Sequence, residues 1–319
     1  MTFRDARMHR IVLGVTILAA VAAWIDFQLL ASFQYGLLVV GTIVIGIPHG
    51  ATDNRIVYRL APTIGPLGFY LRYTAGALAY GALWLLVPTV ALIVFLLFSM
   101  YHFGQSNLFY ASLPEASWRK KLLYLPWGAF YIVLPILFRY AEAAPIVRAL
   151  IGYDPVDVAA VRALALPVAV GLSAVNTAIL ALLRWRGAID SSDLLRELVG
   201  LAALLLLYVV APLFVSFIVY WAFWHSLNSV IEIARVFGDA AAERPIKRFY
   251  RAALPLSLIT LAGLALAFGL VGVYGDVHAA AALFFGVIAA LTVPHSFVME
   301  LVYRHRSSIR RIPAAGETA

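Results

Sequence analysis

The sequence predicts an all-α integral membrane protein, a polytopic bundle of about 8–10 transmembrane helices. Three observations carry this. The 319 residues are 63% hydrophobic and 13% charged, whereas soluble domains carry roughly 25% charged residues. Apolar runs longer than about 18 residues recur along the whole length, each able to cross a bilayer core. The basic residues gather at the ends of alternate runs, as orientation in a membrane requires.

In chain order the apolar runs place ten helices near 10–33, 35–55, 69–87, 88–110, 122–139, 160–184, 194–210, 212–234, 252–274 and 277–303. Arg4, Arg7 and Arg10 precede the first run. That run is too long for a signal-peptide core, so it reads as a retained helix. Val87-Pro88 and Ala211-Pro212 read as tight turns between antiparallel helices, because proline suits the first position of a helix. The stretch 140–158, with Pro145, Gly152, Asp154, Pro155 and Asp157, reads as the one sizeable outside loop. Residues 1–306 form a single transmembrane domain, followed by a disordered cytoplasmic tail over 307–319.

With the N-terminus in the cytoplasm, alternation places all of the 24 Lys and Arg residues inside except Arg139, Arg148 and Arg162. Both termini are then cytoplasmic, at the cell inner membrane. The net charge of +8 is spread over short loops and forms no patch, which argues against a nucleic-acid partner. The absence of cysteine excludes disulfides, iron–sulfur clusters and thiolate metal sites.

Of the seven histidines, His9, His278 and His305 fall at helix ends and read as interfacial side chains. The other four lie within helices: His49 in Gly46-Ile-Pro-His-Gly-Ala-Thr-Asp53, His102 in Tyr101-His-Phe-Gly-Gln105, His225 in Trp224-His-Ser226 and His295 in Pro294-His295. The four host helices run the same way in the alternating scheme. Each histidine lies roughly 9–15 Å from the inner helix end at 1.5 Å per residue. Ionisable groups inside a bilayer are costly and point to function. One buried imidazole can be satisfied by a carbonyl, but four at one depth favour a shared metal site, and imidazole suits iron, copper or zinc.

Asp53 stands four residues after His49, where it can fix that ring through its second N–H or pair with Arg55. Gln105, Ser106, Asn228 and Ser229 follow His102 and His225 by three or four residues. They read as ring-orienting partners or as ordinary interhelical hydrogen bonds. Gly50 and Gly104 leave room for a ligand or for close helix packing. Tyr101, Phe103, Trp221 and Trp224, with Phe217, Tyr220 and Phe223 nearby, suit a tunnel for a long apolar substrate, although aromatic residues also line membrane interfaces.

Histidine boxes of the HxxxH and HxxHH kinds, the HExxH zinc motif, the P-loop and dinucleotide fingerprints are all absent. Acidic residues within or near helices are few, namely Asp26, Glu197, Glu232 and Glu300, which argues against an ion pump. Haem held by a histidine pair stays open.

Over about 46–302 these motifs resemble the Brp/Blh family, the bacteriorhodopsin-related proteins that include β-carotene 15,15′-dioxygenase. The resemblance implies a multi-pass membrane enzyme that holds Fe(2+) through histidines and splits β-carotene or a related carotenoid with O2 into retinal. It places His49, His102 and His225 at metal-ligand positions and His295 at the C-terminal Pro-His. It implies a carotenoid drawn from the bilayer and a functional link to a rhodopsin. Three positions depart from the family pattern. Ser229 and Asn54 stand where histidine is frequent, and Asn107 stands where an acid is common. The alternative is a divergent member that binds carotenoid, retinal, haem or metal without cleaving anything.

Overall fold

The computed structural model describes residues 6–111, 118–154, 156–236, 245–272 and 276–309. Among them there is no strand, and eight stretches are long and apolar enough to cross a membrane. The protein is an all-α polytopic membrane bundle.

α1 (Ala6–Ile25) ends at Asp26, whose carboxylate accepts the N–H of Leu29 at 2.9 Å and starts α2 (Phe27–Gly41). The first boundary therefore falls at 26, not near 34 as apolar continuity suggests. A cap satisfying a free helix-end N–H outweighs an unbroken apolar run. α2 continues into a π-helical stretch, Thr42–Gly46, and then α3 (Ile47–Gly50). A turn at 51–52 separates α3 from α4 (Asp53–Leu60). α5 (Pro66–Leu86) and α6 (Pro88–Leu108) meet at the expected tight turn.

α7 (Trp118–Phe138) is followed by α8 (Tyr140–Ile151). Most of the expected outside loop over 140–158 is therefore helical. Its apolar residues Ala143, Ala144 and Ile146 are buried on one face, and Gly152 ends the helix at φ 82°. Burial of that face outweighs Pro145, which lies inside the helix. α9 (Val158–Trp185) and α10 (Ser191–Val210) begin at aspartate caps, Asp157 on Ala160 and Asp190 on Asp193. The Asp193 N–H and then the Ser192 hydroxyl hold the Asp190 carboxyl below the usual carboxylate range.

After the second tight turn come α11 (Leu213–Ile218), a second π-helical stretch, Val219–Ser226, and α12 (Leu227–Val236). α13 (Pro245–Val271) and α14 (Val277–Ile309) complete the chain. Residues 307–309 are helical, and the rest of the expected tail, 310–319, lies outside the described residues. α5 and α10, at 21 and 20 residues, are long enough to span but are not among the eight apolar stretches.

Large apolar side chains cover the outside, and the polar groups of the membrane interior lie within an otherwise apolar core. Leu85 (87%), Leu270 (78%) and Trp24 (76%) are exposed, while His102, Gln105, Asp53 and His225 are each 1% exposed. This arrangement suits lipid as the solvent. Helices in lipid gain little from mutual burial of apolar surface, so close backbone approach must hold them together. α6 and α7 achieve it reciprocally: a Cβ on Gly104 would overlap the Tyr124 carbonyl, and one on Gly128 would overlap the Met100 carbonyl. α14 packs against α4, α5, α6 and α8, and so closes the bundle around its interior.

Candidate metal centre and apolar cavity

The four motif histidines meet. His49 comes from α3, His102 from α6, His225 from the second π-helical stretch and His295 from α14. All four are buried. Ring centroids lie 5.4 Å apart for His49–His225, 4.8 Å for His49–His295, 4.8 Å for His102–His225 and 5.2 Å for His102–His295. They close a ring of four contacts, each edge to face. The π-helical stretches lie directly before His49 and around His225. Such widened turns shift side chains off the regular helical register and are frequent at functional sites.

Three of the rings are held from behind through Nδ1. The Nδ1–H of His49 donates to the Gly46 carbonyl at 2.6 Å. His295 donates through Nδ1 to both oxygens of Asp53, each at 3.0 Å. Asp53 in turn accepts from the Tyr73 hydroxyl at 3.1 Å. The Ser106 hydroxyl donates to the Phe103 carbonyl at 2.9 Å, so its oxygen is free to accept the Nδ1–H of His225 at 3.0 Å. In a neutral imidazole with Nδ1 protonated, Nε2 carries the lone pair. His49, His225 and His295 are thereby set in one tautomer.

Two of those Nε2 atoms have no protein donor to satisfy them. The Nε2 atoms of His49 and His295 are buried and unpartnered. That of His225 faces the Nε2 of His102 at 3.2 Å. On His102 the unpartnered nitrogen is Nδ1. Among the described residues no group of three or more His, Cys, Asp or Glu side chains is drawn in to metal-holding distances. The four rings surround a space without closing on it. Two imidazole nitrogens on one tetrahedral ion lie about 3.4 Å apart, from bonds of about 2.1 Å. The 3.2 Å spacing of His102 and His225 is close to that, and buried lone pairs without donors are what a cation would satisfy.

The other expected site residues divide. Asp53 pairs with His295 and not with His49. The turn at 51–52 breaks the helix between His49 and Asp53, so the shared helical face expected from their spacing does not exist. Ser229 donates to the backbone carbonyl of His225 at 2.9 Å, an in-helix bond that leaves the imidazole alone. Asn54 reaches the Tyr70 hydroxyl, away from the histidines, whereas Asn107 reaches the Phe103 carbonyl, the Tyr220 hydroxyl and, at 3.5 Å, the Ser106 hydroxyl behind His225. Gly104 serves helix packing against α7, whereas the Cβ position of Gly50 lies 3.7 Å from Nδ1 of His295.

A cavity of about 150 Å³ opens from the histidines, and all four line it. Of the four aromatic residues named for a tunnel, Phe103 and Trp221 are in its wall and Tyr101 and Trp224 are not. The Tyr101 hydroxyl donates to Glu300 at 3.2 Å. The Trp224 indole donates to Thr16 at 2.8 Å, drawn towards α1 by that partner. Glu300 also accepts from Gln105 and from Arg304 and lies 3.6 Å from Lys121, tying α6, α7 and α14 together just beyond the histidines.

The wall residues that sequence reasoning missed follow a simple rule. Ser99, Leu96 and Leu92 precede His102, Phe214 precedes His225 beyond the already named Phe217, and Thr292, Ile288 and Phe285 precede His295. Each set lies one helical face upstream of its histidine, at spacings near three, seven and ten residues. The three elements thus run side by side in one direction, in keeping with the co-oriented helices expected from charge. Tyr73 was also missed, since nothing in the sequence links it to Asp53 twenty residues away.

The model of the family described as "Beta-carotene 15,15'-dioxygenase" matches residues 40–303. The chain is 26% identical over 309 residues to "Probable beta-carotene 15,15'-dioxygenase Blh" of Halobacterium salinarum, covering 88% of each protein. It is 28% identical over 273 residues to "Beta-carotene 15,15'-dioxygenase" of the uncultured marine bacterium 66A03, covering 83% of this chain and 93% of that relative. No solved structure matches significantly.

Proposed function

Because this chain belongs to the beta-carotene 15,15'-dioxygenase family, we propose that it cleaves β-carotene or a close relative with O2 to give retinal, at a site inside the membrane. Each carbon of the broken double bond takes one oxygen atom and becomes an aldehyde. His49, His102, His225 and His295 hold iron(II), which supplies the redox chemistry that O2 needs to react with a polyene.

The observation that carries the reading is the shared tautomer of His49, His225 and His295. Gly46, Ser106 and Asp53 occupy the outer nitrogens, so the inner lone pairs point into one buried space. Ring-orienting partners of this kind accompany histidine ligands in metal sites. Their other role here is to keep the rings in place as substrate passes along a mostly apolar wall. Ser229 and Asn54, the positions where family histidines are frequent, face away from the four rings, so these departures leave the set of four intact. Haem between His102 and His225 does not fit, because a porphyrin plane cannot enter between nitrogens 3.2 Å apart.

The apolar wall excludes water and accepts hydrocarbon, and a carotenoid reaches it laterally from the bilayer. At about 150 Å³ the cavity is of benzene-binding size. Even half a carotenoid exceeds this volume, so wall side chains must move to admit it, and the rest of its length stays outside. The charge pattern orients both termini to the cytoplasm at the inner membrane, and released retinal enters the same bilayer, within reach of a rhodopsin.

Expression in bacteria that accumulate β-carotene tests the reading. Loss of colour with stoichiometric retinal is expected. Unchanged carotene without retinal overturns cleavage, and purified protein without iron overturns the metal assignment.

A further inference from the structure

We propose that Trp84 is the stop at the far end of the cavity, and that the distance from this stop to the histidines selects which double bond is cleaved. The inference rests on the reading above and adds a specificity-determining residue to it.

The cavity is an arm with a direction. Along α6 its wall runs from His102 back to Leu92, and along α14 from His295 back to Phe285. Ten residues of helix span about 15 Å. The arm therefore extends from the histidines towards the two tight turns at 87–88 and 211–212. One half of a carotenoid, its end ring plus half of the conjugated chain, has a length of this order.

Nothing along the arm can fix a hydrocarbon by polar recognition. Of its few polar wall residues beyond the histidines, Thr292 spends its hydroxyl on the Ile288 carbonyl, and Ser99 is buried beside the site itself. Position along the axis must then be set sterically. At the far end Trp84 of α5 donates its indole N–H to the Leu150 carbonyl of α8 at 3.4 Å, and both residues line the cavity. Tyr80 packs against the Trp84 ring at 6.1 Å, and its own hydroxyl is held by the Ala91 carbonyl. The indole thus bridges two helices across the end of the arm, anchored on one side by a hydrogen bond and on the other by an aromatic contact. A conjugated polyene is a stiff rod that cannot coil to hide extra length. A fixed stop therefore converts distance into a count of carbon atoms.

The product of Trp84→Ala is the test. In membranes supplied with β-carotene the wild-type protein gives one aldehyde length. In Trp84→Ala the chain slides deeper, and the ratio of longer aldehydes to retinal rises by about tenfold or more, the discrimination typical of an apolar pocket that loses a few carbons of wall. Because β-carotene is symmetric, a cut displaced in either direction gives one aldehyde longer than retinal and its shorter complement, so Ala143→Phe, which fills the arm from α8, also raises the ratio of unequal aldehydes to retinal and serves if Trp84→Ala does not accumulate. Unchanged product lengths in variants that still turn over overturn the proposal. So does faster turnover with unchanged products, which would make Trp84 a gate. A second arm is independent of catalysis. A retinal analogue with a photoreactive diazirine on its ring is expected to label Trp84 or Leu150, and labelling elsewhere overturns the stop. If the wild type yields no aldehyde while the probe still labels Trp84, the functional reading and bond selection both fail, and Trp84 remains only the end wall of a retinoid site.

Discussion

The two ends of one cavity are built on different principles. At the histidine end every ring but one is fixed by a named hydrogen bond from behind, and Glu300 ties the adjoining helices together. Along the arm the wall is apolar, and its shape comes from packing alone until the Trp84–Leu150 bond closes it. Orientation by hydrogen bonds is specific to an atom and is lost in one step. Orientation by packing is shared among many contacts and is lost by degrees. On the proposed function, the chemistry would sit where geometry is fixed, and substrate range where it can vary.

Substitutions at the two ends should separate these behaviours. The largest effect is expected from His49→Ala, His102→Ala, His225→Ala or His295→Ala: retinal formation falls to background and bound iron falls with it. A variant that keeps both breaks the assignment of that histidine. Asp53→Ala follows, with metal affinity lower by about 10–100-fold, as for other groups that orient a ligand from behind. Competition with a chelator measures it, and wild-type affinity would make the His295–Asp53 pair structural. Gly104→Ala and Gly128→Ala act on neither end but on the α6–α7 contact that positions His102. Each should cost about 1–3 kcal/mol of stability from overpacking, read as a lower melting temperature in detergent. Ser106→Ala is expected near the lower end of the Asp53 range, about tenfold in metal affinity, because one neutral acceptor is lost in place of a carboxylate. Ser229→Ala should be the smallest, within about 0.5 kcal/mol of wild type, with metal content and retinal yield unchanged. A large loss there would restore this position to the site.

Much of this was legible in the chain. The four histidines stood out because an ionisable group within a membrane needs a reason, and the tight turns at 87–88 and 211–212 followed from proline chemistry. The α1–α2 boundary at Asp26 was not legible, since a single cap competes with a long apolar run and composition weighs the run more. The helix α8 was hidden by its proline and glycine, because the face that stabilises it is apolar only relative to neighbours absent from the local sequence. Tyr101 and Trp224 belonged to the right motifs but point to Glu300 and Thr16, a choice made by partners far along the chain.

What the sequence determines by itself is the class of the protein and the residue types of its centre, because transfer into lipid penalises every polar group and so marks those that remain. What the tertiary structure alone decides is pairing: Asp53 with His295 rather than His49, Ser106 with His225, Trp84 with Leu150. A hydrogen bond depends on position to within a fraction of an ångström. The positions of residues on different helices follow from packing between glycines and aromatic rings that no local pattern encodes.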